Sequence, residues 1–170
     1  LVLIENFQFR FHEQILCLKN LVRSGKIGSL RNIKSYFGFP IFNDKNNIRY
    51  KKDLGGGALL DVGAYPLKIS QIFLGQDISI KNAILEIPND KEVDFWGSAT
   101  VKQNNGNLVS QIAFGFDSFY QNSIELWGSK GRLHTNRVFT SPPGFVTSIN
   151  IETDEGLDVL KIKKDNHFKN

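Results

Sequence analysis

Apolar residues recur at helical spacing in two stretches of the chain. Between residues 12 and 24 they return every three or four positions, and Gly25 follows as a C-terminal cap. The second stretch reads GGGALLDVGAYPLKISQIFLG at residues 55–75, and Asp61 and Lys68 are the charged residues within it. A helix that is apolar nearly all round is covered on most sides by the rest of its protein. The pattern therefore predicts two helices, the second more deeply covered than the first.

Alternation of apolar and polar residues predicts β-strands over most of the remaining chain. Two tight turns, NNG at residues 104–106 and GSKG at residues 128–131, separate several of these strands. The predicted strands are residues 2–10, 29–42, 79–87, 92–102, the segment after residue 106, 119–127, 145–152 and 157–163. We predict an α+β fold: a large, mostly antiparallel, open-faced sheet with two main helices packed on one face. We expect the other face to carry many phenylalanines and to associate with another subunit.

Pro66 leaves the geometry of the second helix open. It removes one helical hydrogen bond, so it either kinks the helix or begins a second one. With a kink, Asp61 and Tyr65 stay neighbours on one face, because residues four apart in a helix lie side by side. With a break, their relative position is undetermined. We favour the kink.

Composition narrows the class of protein. The 170 residues suit one domain, and the net charge of +4 comes from scattered lysines and arginines. A loose group of lysines near the end of the chain is typical of a solvated tail, so we expect no nucleic-acid binding. Cys17 is the single cysteine, which fits a reducing cytoplasm. No run is apolar and long enough to cross a membrane, so we expect a cytoplasmic protein that does not bind membranes.

Several familiar sites are absent from the sequence. The glycines at residues 55–57 do not form G-x-G-x-x-G, and GSKG is not a phosphate-binding P-loop. His12, His134 and His167 are far apart, and a single cysteine adds no metal-ligand spacing, so we expect no metal site.

Asp61 and Tyr65 are the candidates for catalysis. A tyrosine can exchange a proton with an alcohol or a developing alkoxide, and a neighbouring carboxylate can orient a sugar hydroxyl. The alternative is structural: Asp61 caps a helix and Tyr65 is a core aromatic. Two further residues carry the same ambiguity. His12 is either a ligand or a hydrogen-bonded corner residue, and Arg49 is either an anion-binding group or a surface arginine.

Four segments of the chain carry a resemblance to a known family. They are ENFQFRFHEQ at residues 5–14, SGKIGSLRNI at 24–33, GGGALLDVGAYPL at 55–67 and ELWGSKGRLHTNRVFTSPPGF at 125–145. In order and spacing they resemble the C-terminal domain of the Gfo/Idh/MocA oxidoreductases. The stretch RVFTSPPGF looks most like members that act on nucleotide-linked sugars.

The resemblance implies a two-domain enzyme that uses NAD or NADP. Residues 1–170 would form its single C-terminal substrate and oligomerisation domain, and the N-terminal Rossmann domain is absent from this chain. Tyr65 would be the proton donor or acceptor, and Asp61 would contact the substrate. Arg10, His12 and Arg49 would border the substrate pocket. The glycines before Ala58 would let the backbone approach the cofactor closely.

The same resemblance implies what the chain does alone and in the whole protein. The Glu-Lys-Pro motif of the family is expected upstream of residue 1, so we predict that this fragment alone neither binds NAD or NADP tightly nor turns over. In the full-length enzyme we expect reaction at a hydroxyl or ketone of a sugar or nucleotide sugar, and a homo-oligomer formed through the exposed sheet face. The alternative function is a non-catalytic ligand-binding or oligomerisation module of the same fold.

Overall fold

The fold is known from a computed structural model that describes residues 1–3, 5–44, 46–166 and 168–169. His167, one of the three histidines considered above, lies outside the described residues. Within them the regular elements are α1 (Glu13–Arg23), β1 (Leu30–Gly38), α2 (Ala64–Leu74), β2 (Ile78–Glu86), β3 (Trp96–Gln103), β4 (Val109–Gly115), β5 (Gln121–Gly128), β6 (Gly131–Asn136), β7 (Ser148–Thr153) and β8 (Gly156–Lys161).

The strands form one eight-stranded sheet in the order β2-β3-β4-β1-β5-β6-β7-β8. Strand β1 lies near the middle, parallel to β4 and antiparallel to β5, and the remaining pairs are antiparallel. Both helices pack on one face and enclose the core with it. The predicted α+β architecture is confirmed. In the described part of the chain, neither helix combines the length and the apolar character needed to span a membrane.

Helix α2 is fixed to the sheet by packing and by one buried polar contact. The Ser70 and Ser110 hydroxyls lie 2.7 Å apart, and Ser70 also donates to the Pro66 carbonyl. A Cβ on Gly63 would lie 3.1 Å from the ring of Phe114, so the backbone approaches β4 closely there. These contacts fix the segment that carries Asp61 and Tyr65 against the centre of the sheet.

The predicted strand at residues 2–10 is wrong. Among the described residues of that range, Gln8–Phe11 form a short 3₁₀ turn that leads into α1. The alternating phenylalanines that suggested a strand have another function. Phe9 is buried, and Phe7 and Phe9 pack against each other and against Tyr65. The two-residue spacing lets both rings join one aromatic cluster around Tyr65.

The expectation of a phenylalanine-rich open face is also wrong. Phe37 and Phe114 are the phenylalanines of the described strands, and both face the helices. The open face instead carries a row of charged residues, in which Glu125 pairs with Lys34 at 3.7 Å and with Arg132 at 3.1 Å. Charged groups are well solvated at an open surface. The aromatic residues on this face are Tyr36, Trp96 and Trp127, each partly exposed.

Candidate active site

The candidate site lies on a wide helical turn directly before α2. Residues Leu59–Gly63 form a π-helical turn that continues into Ala64 without a break. Such turns occur mostly as single insertions, and often at functional sites. Pro66 lies in the first turn of α2, so the irregularity that we predicted at the proline is present but lies upstream of it. The helical path is continuous, and Asp61 and Tyr65 remain neighbours.

The entry to this turn is held by Asp94, which comes from the loop before β3. The Leu59 N–H donates to Asp94 Oδ2 at 2.6 Å, and the Ala58 N–H donates to the Asp94 carbonyl at 2.9 Å. A side chain at Gly57, whose φ is +117°, would collide with the Asp94 carboxylate. Asp94 therefore caps the turn that presents Asp61, and a glycine next to the cap leaves room for the carboxylate.

Asp61 is paired with Arg49. Arg49 Nε donates to Asp61 Oδ2 at 2.7 Å, and the two side chains are 36% and 29% exposed. Arg49 lies on a short 3₁₀ turn, Ile48–Tyr50, in which the Asn47 side chain accepts the Arg49 N–H. The structure thus brings together two of the predicted site residues, which are twelve positions apart in sequence. One carboxylate oxygen of Asp61 is taken by the pair, and the other is available to a ligand hydroxyl.

Tyr65 is half-buried in a cluster of phenylalanines. Its ring centroid lies 5.3 Å from that of Phe37, 5.5 Å from Phe7 and 5.9 Å from Phe139. Burial raises the pKa of the Tyr65 phenol, and the negative charge of Asp61 raises it further, while Arg49 offsets part of this effect. A phenol with a raised pKa stays protonated at neutral pH. Tyr65 therefore holds a proton at neutral pH, and the charge of Arg49 is the influence that favours its release.

The other two predicted site residues, Arg10 and His12, follow the segment whose Phe7 and Phe9 pack against Tyr65. Arg10 is exposed on the 3₁₀ turn, with its guanidinium 5.5 Å from the centre of the Phe11 ring. His12 is 1% exposed and is the N-cap of α1, where its Nδ1 accepts the Gln14 N–H at 3.1 Å. Because Nδ1 accepts, the imidazole proton is assigned to Nε2. This position favours a structural function for His12, and a substrate contact by either residue stays a prediction.

No group of three metal-ligating side chains is found in the residues that the structure describes. The functional groups of the candidate site are the Asp61 carboxylate, the Arg49 guanidinium and the protonated Tyr65 phenol. Leu60, which is 66% exposed, and Leu54 leave apolar surface beside them. Such surface next to reactive groups is typical of a face that a substrate or another domain covers.

Comparison with known proteins identifies the family of the chain. A model described as the GFO/IDH/MocA C-terminal domain matches residues 15–134. The chain belongs to the GFO/IDH/MocA family. The sequence resemblance is thereby confirmed over most of the chain, including the segment with Asp61 and Tyr65.

The relatives of this GFO/IDH/MocA domain include reductases of nucleotide sugars. The dTDP-3,4-didehydro-2,6-dideoxy-alpha-D-glucose 3-reductase of Actinomadura kijaniata is 35% identical over 168 residues, which is 99% of this chain and 50% of the relative. The enzyme of that name from Streptomyces antibioticus is 36% identical over 170 residues, covering 100% and 51%. A crystal structure of a 3-ketoreductase from Actinomadura kijaniata with NADP and TDP-benzene superimposes with a TM-score of 0.94 at 34% identity, covering 99% of this chain and 51% of that one. The chain spans about half the length of the curated relatives it matches.

Two features of the GFO/IDH/MocA site escaped the sequence analysis. Asp94 lies 35 residues from the amide that it caps, and no local pattern links the two. Phe139 reaches Tyr65 from the segment after β6. The RVFTSPPGF stretch was recognised as a family feature, but its contact with Tyr65 follows from the fold and has no signal in the spacing.

Proposed function

We propose that this domain is the substrate-binding and proton-donating part of an NADP-dependent ketoreductase that acts on a nucleotide sugar. The observation that carries the proposal is the position of the Tyr65 phenol beside Asp61, which Arg49 contacts at 2.7 Å, on an accessible helical turn. Reduction of a ketone to an alcohol requires a proton at the carbonyl oxygen, and a phenol held in its neutral form supplies one.

The residues of this chain would share the work as follows. When bound, the reduced nicotinamide supplies a hydride to the carbonyl carbon. Tyr65 donates its proton to the carbonyl oxygen, so the carbonyl becomes an alcohol and the phenol becomes a phenolate that solvent reprotonates. Asp61 accepts a hydrogen bond from a neighbouring sugar hydroxyl and fixes the ring, and Arg49 holds Asp61 in place. The exposed apolar surface at Leu54 and Leu60 fits a face that the cofactor domain covers.

The substrate class rests on the relatives. Reductases of a dTDP-linked keto sugar match the chain at 35–36% identity, and a 3-ketoreductase bound to TDP-benzene has the same fold. These support a thymidine-diphosphate keto sugar as substrate and NADP as cofactor of the full-length protein. The proposal includes a cytoplasmic location, which the single cysteine supports. It also includes a homo-oligomer formed through the open face with Tyr36, Trp96 and Trp127, which sedimentation velocity of the full-length protein would test.

The decisive experiment substitutes Tyr65→Phe in the full-length protein. The phenyl ring preserves the aromatic packing and removes the proton donor, so we expect kcat to fall about 100-fold or more while KM changes little. NADPH oxidation with a TDP-linked 3-keto sugar measures both parameters. Asn20→Ala, at an exposed position of α1 away from the open face, is the control and should leave both unchanged. An unaltered kcat in the Tyr65→Phe enzyme would remove the phenol from the mechanism and leave a ligand-binding module as the better explanation.

A further inference from the structure

A cavity of about 470 Å³ opens beside the Arg49 turn. Three aromatic rings line it: Phe42, Tyr50 and Phe95. Tyr50 and Phe95 lie nearly parallel, with their centroids 5.6 Å apart and an interplanar angle of 21°. The Tyr50 hydroxyl accepts the Phe42 N–H at 2.9 Å, which fixes the segment that carries the third ring. The size is within the range of ordinary small-molecule sites.

Two lysines complete the lining. Lys51 and Lys91 both border the cavity, and Lys91 Nζ lies 5.6 Å from the centre of the Phe95 ring. Lys91 also contacts the Asp90 carboxylate at 2.5 Å. An ammonium group has three donors, so this contact leaves Lys91 able to bind a second acceptor. Aromatic walls with cations at their margin match a ligand that has both a flat ring and negative charge.

Arg49 connects the wall of the cavity to Asp61. The Arg49 guanidinium lies 5.2 Å from the centre of the Phe42 ring, and its Nε donates to Asp61. The backbone makes the same connection, because the Gly56 N–H donates to the Lys51 carbonyl and the Gly57 N–H donates to the Arg49 carbonyl. The loop that borders the cavity therefore also carries the arginine that pairs with Asp61.

We infer that this cavity binds the nucleoside diphosphate portion of the substrate. The inference rests on the proposed function, which supplies the ligand class. The base lies against the rings of Phe42, Tyr50 and Phe95, and the diphosphate contacts Lys51 and Lys91. Lysine binds phosphate as a point charge, and base–aromatic stacking tolerates any base. The two contacts together orient the sugar towards Asp61 and Tyr65.

The test uses thymidine diphosphate as probe and the full-length protein. The Kd of thymidine diphosphate is measured by isothermal titration calorimetry for the wild-type protein and for the Lys51→Ala and Lys91→Ala variants. We expect each substitution to weaken binding about tenfold, because a hydrogen bond to a charged group is lost at a partly exposed site. Lys52→Ala is the matched control: Lys52 is the exposed neighbour of Lys51 and does not line the cavity. Its Kd should equal that of the wild type. Lys51→Gln, which keeps much of the stem, should behave as Lys51→Ala.

The outcomes separate this inference from the proposed function. Wild-type protein that reduces the keto sugar and binds thymidine diphosphate, with unchanged affinity in both lysine variants, would overturn the inference and leave the reductase proposal intact. Wild-type protein that binds the probe through the two lysines but oxidises no NADPH would support the cavity and remove the reductase. A wild type that does neither would overturn both. Weakening by Arg137→Ala, with no effect of the lysines, would place the nucleotide beside Tyr120 and Phe145, which Arg137 contacts, and would also refute the cavity.

Discussion

The cap formed by Asp94 should determine how firmly the chain presents Asp61. Substituting Asp94→Ala removes the carboxylate that accepts the Leu59 N–H, and keeps the backbone carbonyl that accepts the Ala58 N–H. One of the first amides of the helical segment then loses its partner within the protein. The change acts on the turn from outside it, so Asp61 and Tyr65 keep their own side chains.

The magnitude follows from the kind of contact that is lost. Loss of an N-terminal cap costs about 1 kcal/mol, and the neighbourhood of Leu59 is partly exposed, so water recovers some of the bond. A loss of about 1 kcal/mol corresponds to about 2–4 °C in Tm for a domain of this size. If it acts locally, it speeds exchange of the amides in the turn by about fivefold.

Hydrogen–deuterium exchange of the peptide that contains Leu59–Gly63, measured together with kcat, tests this reasoning. We expect faster exchange in that peptide and a lower kcat, because Asp61 is held less firmly. Asp94→Asn keeps an acceptor oxygen and should have a smaller effect. Glu92→Ala, an exposed acid in the same loop, is the control. Exchange rates in Asp94→Ala equal to those of the wild type would show that the cap does not hold the turn.

Two further predictions concern Arg49 and His12. Arg49→Ala should lower kcat/KM about tenfold, because Asp61 loses a charge-assisted hydrogen bond. The free energy of unfolding should change by less than about 1 kcal/mol, since the pair is partly exposed. An unchanged kcat/KM would show that Arg49 does not position Asp61. Burial lowers the pKa of His12, and the charges of Asp165 and Glu13 offset part of this effect. Because the folded-state pKa lies below that of the unfolded chain, His12 contributes stability that is lost as the pH falls below about 6.5. His12→Asn keeps a capping acceptor that does not titrate, so its denaturation midpoint should fall less between pH 7 and pH 5; an equal fall would assign the acid sensitivity to other groups.

Sequence analysis identified the parts of this protein that depend on local periodicity. The spacing of apolar residues placed α1 and most of the strands, and the four-residue separation of Asp61 and Tyr65 placed them together even though the turn between them is wide. The strand prediction for residues 2–10 was wrong because an alternating sequence does not specify which residues each face of the segment packs against. Phe7 and Phe9 alternate as strand residues do, yet they meet Tyr65 and each other, and no strand partner. The prediction of a phenylalanine-rich open face was wrong for a similar reason. The number of phenylalanines in a sequence does not show on which face of the sheet they lie.

In the glycine-rich stretch, the function implied by the family resemblance differs from the packing that requires a glycine at residue 56. From the family, the glycines were expected to make room for a cofactor. In the fold, a Cβ on Gly56 would lie 2.6 Å from the Arg49 carbonyl oxygen and 2.8 Å from that of Lys51. Gly56 is required because the backbone of Arg49 and Lys51 packs directly against it. This packing positions Arg49 to contact Asp61. Gly56→Ala should therefore disturb the Arg49–Asp61 pair before it affects any cofactor. The stretch that drew attention as a binding motif is, at this position, the reason that two distant residues meet.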